Sequence, residues 1–192
     1  GEGEGEEEEE GEGGEEKRKG TEEAAALAHL VALAKEERAK HGGGVGIVYA
    51  RKRDECERLA ELLGENGLEV EVYHAGRTKE ALKRTQQNWS SGDLDAVVAT
   101  VAFGMGIDKP DVRWVAHWGP PSSLEGLYQE SGRAGRDGKL SRCVLYCGGE
   151  ELEALRKVEP ERSSKVEEYV NGVTCRRSAL LRHVGKKRSG GG

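Results

Sequence analysis

Between residues 45 and 147, short apolar runs take turns with longer segments of helical spacing, and this alternation most narrows the folds open to the chain. Val45 to Ala50 is a compact apolar run that predicts a buried strand. Leu68 to Tyr73, Asp95 to Thr100, Val112 to His117 and Arg142 to Cys147 predict four more. Helices are expected over about 22–40, ended by Gly42-Gly43-Gly44, and over 53–64, where Cys56, Leu59, Ala60 and Leu63 fall on one face. Two further helices are expected, one over 78–90 and one opened by a capping box at Ser122-Ser123-Leu124-Glu125 that would carry Tyr128 and Gln129. Repeated strand–helix–strand units imply an α/β domain with a mostly parallel sheet and right-handed crossovers. Ligands of such sheets sit beyond the carboxyl ends of the strands. The loops after Ala50, Tyr73, Thr100 and His117 should therefore share one working edge.

The flanks differ in kind from this body. Residues 1–16 contain only Gly and Glu, ten of them Glu. Residues 1–20 are expected to be a disordered acidic tail, because Glu repels Glu and nothing there can bury apolar surface. The domain should occupy 21–150, a short helical extension 151–185, and a polar Gly-rich tail 186–192. The formal net charge of −6 hides this division: without the ten tail glutamates the remainder carries +4. A mildly basic body is compatible with nucleic acid. The cysteines, Cys56, Cys143, Cys147 and Cys175, show no C-x-x-C spacing, so a disulfide framework is not expected and a reducing compartment fits. With no long apolar run and no basic-then-apolar leader, the expectation is a soluble intracellular protein with no membrane partner.

The densest chemical signal is Tyr128 to Gly138, YQESGRAGRDG. Arg133 and Arg136 stand three apart among Gly132, Gly135 and Gly138. Arginine grips phosphate bidentately, and glycine lets backbone approach a ligand closely. The alternative is a flexible basic loop. Val98 to Lys109, VATVAFGMGIDK, leaves a strand directly. Thr100 ends that strand, Gly104-Met105-Gly106 could lie against a ligand, and Asp108 offers a carboxylate suited to a ribose hydroxyl; a plain glycine turn is the competing reading. His74, in Tyr73-His74-Ala75-Gly76, could donate to a phosphate or serve structure. Arg51, Lys52 and Arg53 follow a strand end and could line a nucleic-acid groove or simply start a solvated helix.

Taken in order, GIVYARKRDECERLA, YHAG, VVATVAFGMGIDKPDVRWVAHW and LYQESGRAGRDG closely resemble the RecQ family of ATP-dependent DNA helicases over roughly residues 44–147. The resemblance implies a RecA-like three-layer domain, the second of two motor lobes. ATP and Mg2+ would sit between the lobes and drive 3′-to-5′ unwinding of duplex DNA along a single strand. It implies that Arg136 is the arginine finger, Arg133 a neighbouring phosphate contact and Gln129 a residue of the lobe interface. Asp108, Gly104, Gly106 and Gly132 would lie near the nucleotide, and Thr100, His74, Arg51 and Arg53 near the DNA. In eukaryotes it implies a nuclear protein.

Departures are equally legible. No G-x-x-x-x-G-K-[ST] occurs: Arg133 and Leu140 stand where that pattern, aligned on Gly138-Lys139, needs Gly and Ser or Thr. No Asp-Glu pair ends a strand, since Asp54-Glu55 opens a helix. Gly119-Pro120-Pro121-Ser122-Ser123 lacks the family's basic residue, and Leu127 replaces an aromatic. Cys175 resembles the first ligand of the family's zinc subdomain, but the later cysteine cluster does not follow, so no zinc is expected. These readings leave three possibilities: a piece of a helicase needing the missing first lobe, a non-catalytic nucleic-acid-binding lobe, or a regulator that lends Arg136 to another motor.

Overall fold

The computed structural model describes residues 7–42, 45–100, 103 and 109–189. The chain runs α1 (Glu7–His41), β1 (Val45–Ala50), α2 (Arg53–Glu65), β2 (Val70–Tyr73), α3 (Lys79–Ser91), β3 (Ala96–Ala99), β4 (Val112–Trp118), α4 (Leu124–Ser131), β5 (Arg142–Tyr146), α5 (Gly149–Val158), α6 (Pro160–Asn171) and α7 (Arg176–Ser189). The five strands form one sheet in the order β2-β3-β1-β4-β5, and every pairing is parallel. All five predicted strands are present, each within two residues of its expected start and one of its end.

Helix α1 is described from Glu7 to His41 and α7 from Arg176 to Ser189.

The sheet buries both faces. On one side α1 and α2 pack Leu30, Leu33, Leu59 and Leu63 against Val48, Val98 and Trp114. On the other, Trp89 and Phe103 cover Ile47, Tyr49, Val97 and Val115. The central strands β1, β3 and β4 are buried at every residue, as a doubly covered parallel sheet requires. Gly46 sits opposite Trp114 in the register, and a Cβ there would lie 2.0 Å from the indole ring, so only glycine lets that ring lie flat on β1. The indole N–H of Trp89 donates to the Gly46 carbonyl at 2.9 Å, tying α3 to the same spot.

The register between β1 and β4 slips by one residue at its start. Val45 pairs with Val112 but Gly46 pairs with Trp114, which leaves Arg113 at the irregularity. Such slips re-aim a side chain. The cap of α4 also differs from expectation. Its N-cap is Ser123, whose Oγ accepts from the Gly126 amide at 3.0 Å. Glu125 therefore closes no capping box, and it meets His183 of α7 at 2.9 Å instead. Helices α5 to α7 build a separate small core of Leu152, Leu155, Val166 and Leu180 on Leu124 and Leu127 of α4. Among the described residues no helix is long and apolar enough to cross a membrane.

Candidate ATP and nucleic-acid interface

The segment leaving α4 carries both predicted arginines, and it lies along one face of β4. Its backbone is tied there: the Gly135 amide donates to the Val112 carbonyl at 2.9 Å and the Asp137 amide to the Pro110 carbonyl at 3.1 Å. Gly135 turns with φ +67°, and a Cβ at that position would lie 2.6 Å from the Ser141 hydroxyl and 2.9 Å from the Lys139 carbonyl. Glycine here serves the turn. Gly132 has φ −67° and caps the helix with its amide on the Tyr128 carbonyl at 2.9 Å.

Arg113, only 2% exposed, reaches under this segment. Its guanidinium donates to the Asp137 carboxylate at 2.7 Å, to the Asp111 carbonyl at 3.0 Å, and to the Leu140 and Pro110 carbonyls at 3.3 and 3.4 Å. The Arg113 hydrogen bond holds the Asp137 carboxyl below its ordinary range. Four residues along the same strand, His117 Nε2 lies 2.7 Å from a Glu130 carboxylate oxygen, and both side chains are largely buried. Tyr49 of β1 stacks on the His117 ring at 5.4 Å and donates its hydroxyl to the Phe103 carbonyl at 3.0 Å. Burial pushes the Tyr49 hydroxyl up to about 12, a shift that the nearby Arg133 guanidinium opposes. Arg133 is half-buried in this setting. Arg136 is exposed, with Nε on the Gly132 carbonyl at 3.3 Å, and Gln129 is exposed on α4.

The carboxyl edge of the sheet gathers the other predicted residues. Arg51 and Arg53 are exposed at the end of β1 and the start of α2. Thr100 is half-buried at the end of β3, its amide on the Tyr73 carbonyl at 3.3 Å. His74 is 4% exposed, with Nε2 3.0 Å from the Glu57 carboxylate and Nδ1 accepting from the Gly76 amide at 3.2 Å. Both ring nitrogens are thus engaged within the fold, the arrangement of a structural histidine. Gly104, Gly106 and Asp108 lie outside the described residues.

The structure brings together Arg133, Arg136 and Gly132 on the β4 side, and Thr100, His74, Arg51 and Arg53 on the carboxyl edge. It also adds Arg113, His117, Glu130 and Tyr49, which sequence reasoning missed. The signal available for them was polar residues inside predicted strands, at Arg113 and His117, where a buried sheet should be apolar. Cys175 is exposed just before α7, where Ser178 and the Arg177 amide hold its thiol below the ordinary value. Among the described residues no three His, Cys, Asp or Glu side chains gather into a metal-binding group.

Residues 24–138, which hold the five-stranded sheet up to β4 and the arginine-bearing turn laid against it, match the model of the helicase conserved C-terminal domain. The chain belongs to that family. Its relatives there are of the RecQ type, as the motifs implied. It is 39% identical over 175 residues to the RecQ-like DNA helicase blm-1 of Caenorhabditis elegans, covering 84% of this chain and 18% of that protein. It is 38% identical over 158 residues to the ATP-dependent DNA helicase RecQ of Haemophilus influenzae, covering 76% of this chain and 26% of that one. The chain thus spans about a quarter or less of these relatives. Among solved structures, the Mycobacterium smegmatis helicase Lhr bound to ssDNA and AMP-PNP superposes with a TM-score of 0.61 at 24% identity, over 80% of this chain and 19% of that one, which establishes the RecA-like fold.

Proposed function

We propose that this chain is the second motor lobe of a RecQ-like, ATP-dependent 3′-to-5′ DNA helicase, active when a first lobe supplies the phosphate loop and the Mg2+ ligands. The observation that carries this reading is the fixed turn Gly132–Gly138, which presents Arg133 and Arg136 on one strand while Arg51 and Arg53 stand at the carboxyl edge. Two guanidiniums fit a polyphosphate approaching from outside the lobe. Bound ATP with Mg2+ would supply the phosphoryl group whose transfer to water powers movement. Arg136, the more exposed of the pair, would meet the charge that redistributes over the transferring group, and Arg133 would hold the phosphates in place. Gln129 would face the first lobe, Gly132, Gly104, Gly106 and Asp108 the nucleotide, and Thr100, Arg51 and Arg53 the DNA strand. His74, committed to Glu57, would support that edge from beneath.

The chain by itself lacks a G-x-x-x-x-G-K-[ST] sequence, which supports a second reading for the isolated lobe: a nucleic-acid-binding or regulatory module without ATPase activity of its own. Joining the lobe to a RecQ-type first lobe tests the main reading. Arg136→Ala should lower DNA-stimulated ATP turnover by roughly 10³-fold or more while ATP still binds. Arg136→Lys should restore little, because an ammonium lacks the planar fork. Near-normal turnover in Arg136→Ala with a dead Arg133→Ala would move the finger to Arg133. Normal turnover in both would end the reading.

A further inference from the structure

Arg113 poses a physical question. Burying a guanidinium costs several kcal/mol even when it is paired, and an apolar side chain of similar size often serves stability as well or better. Stability alone therefore gives no reason for an arginine at this buried position. Its bonds point to one. Each goes to the loop before β4 or to the turn after α4, and the charged one goes to Asp137, the neighbour of Arg136. His117 repeats the pattern. Strand side chains alternate, so Arg113 and His117 stand on one face of β4, roughly 13 Å apart at the usual rise per residue. His117 holds Glu130, three residues before Arg133. The Arg133 amide in turn donates to the Glu130 carbonyl at 3.2 Å. The segment Glu130–Asp137 is thus fastened near both ends to one strand, with the two arginines between the fastenings.

We propose that β4 is the template of the arginine turn: Arg113 acting through Asp137, and His117 acting through Glu130, are positioning residues that hold Arg133 and Arg136 in their working orientation. The inference rests on the reading of that turn as the phosphate-facing surface. The slipped register at Arg113 aims its side chain under the turn, and Tyr49 stacked on His117 keeps the imidazole in place. A guanidinium acts on a transition state only if its geometry is set beforehand, and a displacement near 1 Å can cost on the order of 100-fold in rate.

The test is a double-mutant cycle in the two-lobe enzyme, at a temperature well below the melting midpoint of every variant. Asp137→Asn should lower kcat on the order of 10- to 100-fold, with KM for ATP within about twofold. In an Arg136→Ala background the same change should lower kcat little further, because it acts through the arginine already removed. Glu130→Gln, which keeps an acceptor for His117, should retain more activity than Glu130→Ala. Alongside, hydrogen exchange on this chain alone should show the Gly135 and Asp137 amides exchanging on the order of tenfold faster in Asp137→Asn, with those of β1 and β3 unchanged. If Asp137→Asn lowers kcat equally with and without Arg136, its role is general support of the fold and the proposal fails. It fails also if kcat does not move, or if exchange at Gly135 and Asp137 is unaltered. If Arg136→Ala is itself harmless, the motor reading is what falls, and the exchange data then decide separately whether β4 fastens the turn.

Discussion

The turn on β4 and the carboxyl edge of the sheet are both rich in cationic side chains, but they are built in opposite ways. On β4 a buried guanidinium and a buried imidazole spend their hydrogen bonds holding a backbone segment, and the arginines thought to act stand on that segment. At the carboxyl edge Arg51 and Arg53 are exposed on a helix start, and the buried His74 serves Glu57 and Gly76. The contrast suggests two demands. A group that must meet a developing charge needs a fixed frame. Groups that grip a repeating phosphate backbone tolerate freedom, because any phosphate within reach will serve.

The stability of point variants should separate the regions. Arg113→Ala empties a buried position and takes hydrogen bonds from the Asp137 carboxylate and from the Asp111 and Leu140 carbonyls, so it should cost about 2–4 kcal/mol of unfolding free energy. His74→Ala should cost about 1–3 kcal/mol, mainly through Glu57 and the Gly76 amide. Arg51→Ala and Arg53→Ala should each stay within about 0.5 kcal/mol. Urea titration of the purified chain reads all four. An Arg113→Ala no more harmful than Arg51→Ala would erase the distinction.

A smaller effect belongs to neither region and calibrates both. Glu36 on α1 accepts from Lys40 at 2.5 Å and from Arg142 of β5 at 2.8 Å, and these bonds, Lys40 first, bring its carboxyl down to about 2. A carboxylate with a depressed folded-state value stabilises above its ordinary value and loses that contribution as pH falls through the folded one. The urea midpoint of wild type should therefore exceed that of Glu36→Gln slightly at pH 7, and the gap should close between about pH 4.3 and pH 2. Added salt should narrow it, since the pair is exposed. A gap that persists unchanged to pH 2 would mean that packing, and not charge, separates the two proteins.

Much of the fold was legible because β1, β3 and β4 are apolar along most of their length, and glycine punctuates the joints. Cys56, Leu59 and Leu63 as the buried face of α2 follow directly from spacing. Less legible was the α4 cap. Ser122 and Ser123 offer two registers, and the contact of Glu125 with His183, which is 58 residues away, cannot be read locally. The arginine turn announced itself through composition, whereas its support did not. Arg113 and His117 are single polar residues within an apolar strand, and only the register shows that both face the same segment. His74 was named for a phosphate because strand ends host ligands, and its pairing with Glu57, one helix earlier, became visible only in three dimensions.

The division of labour is tested most directly by measuring, in one two-lobe enzyme, ATP turnover as a function of single-stranded DNA concentration for Arg136→Ala and for the Arg51→Ala/Arg53→Ala pair. The account predicts that Arg136→Ala loses turnover at every DNA concentration while its DNA affinity stays near wild type. It predicts that the paired variant needs more DNA for half-maximal rate, reaches a near-normal maximum, and depends less steeply on salt. A paired variant with a collapsed maximum, or an Arg136→Ala enzyme rescued by excess DNA, would contradict the assignment of chemistry to the turn on β4 and of DNA to the carboxyl edge.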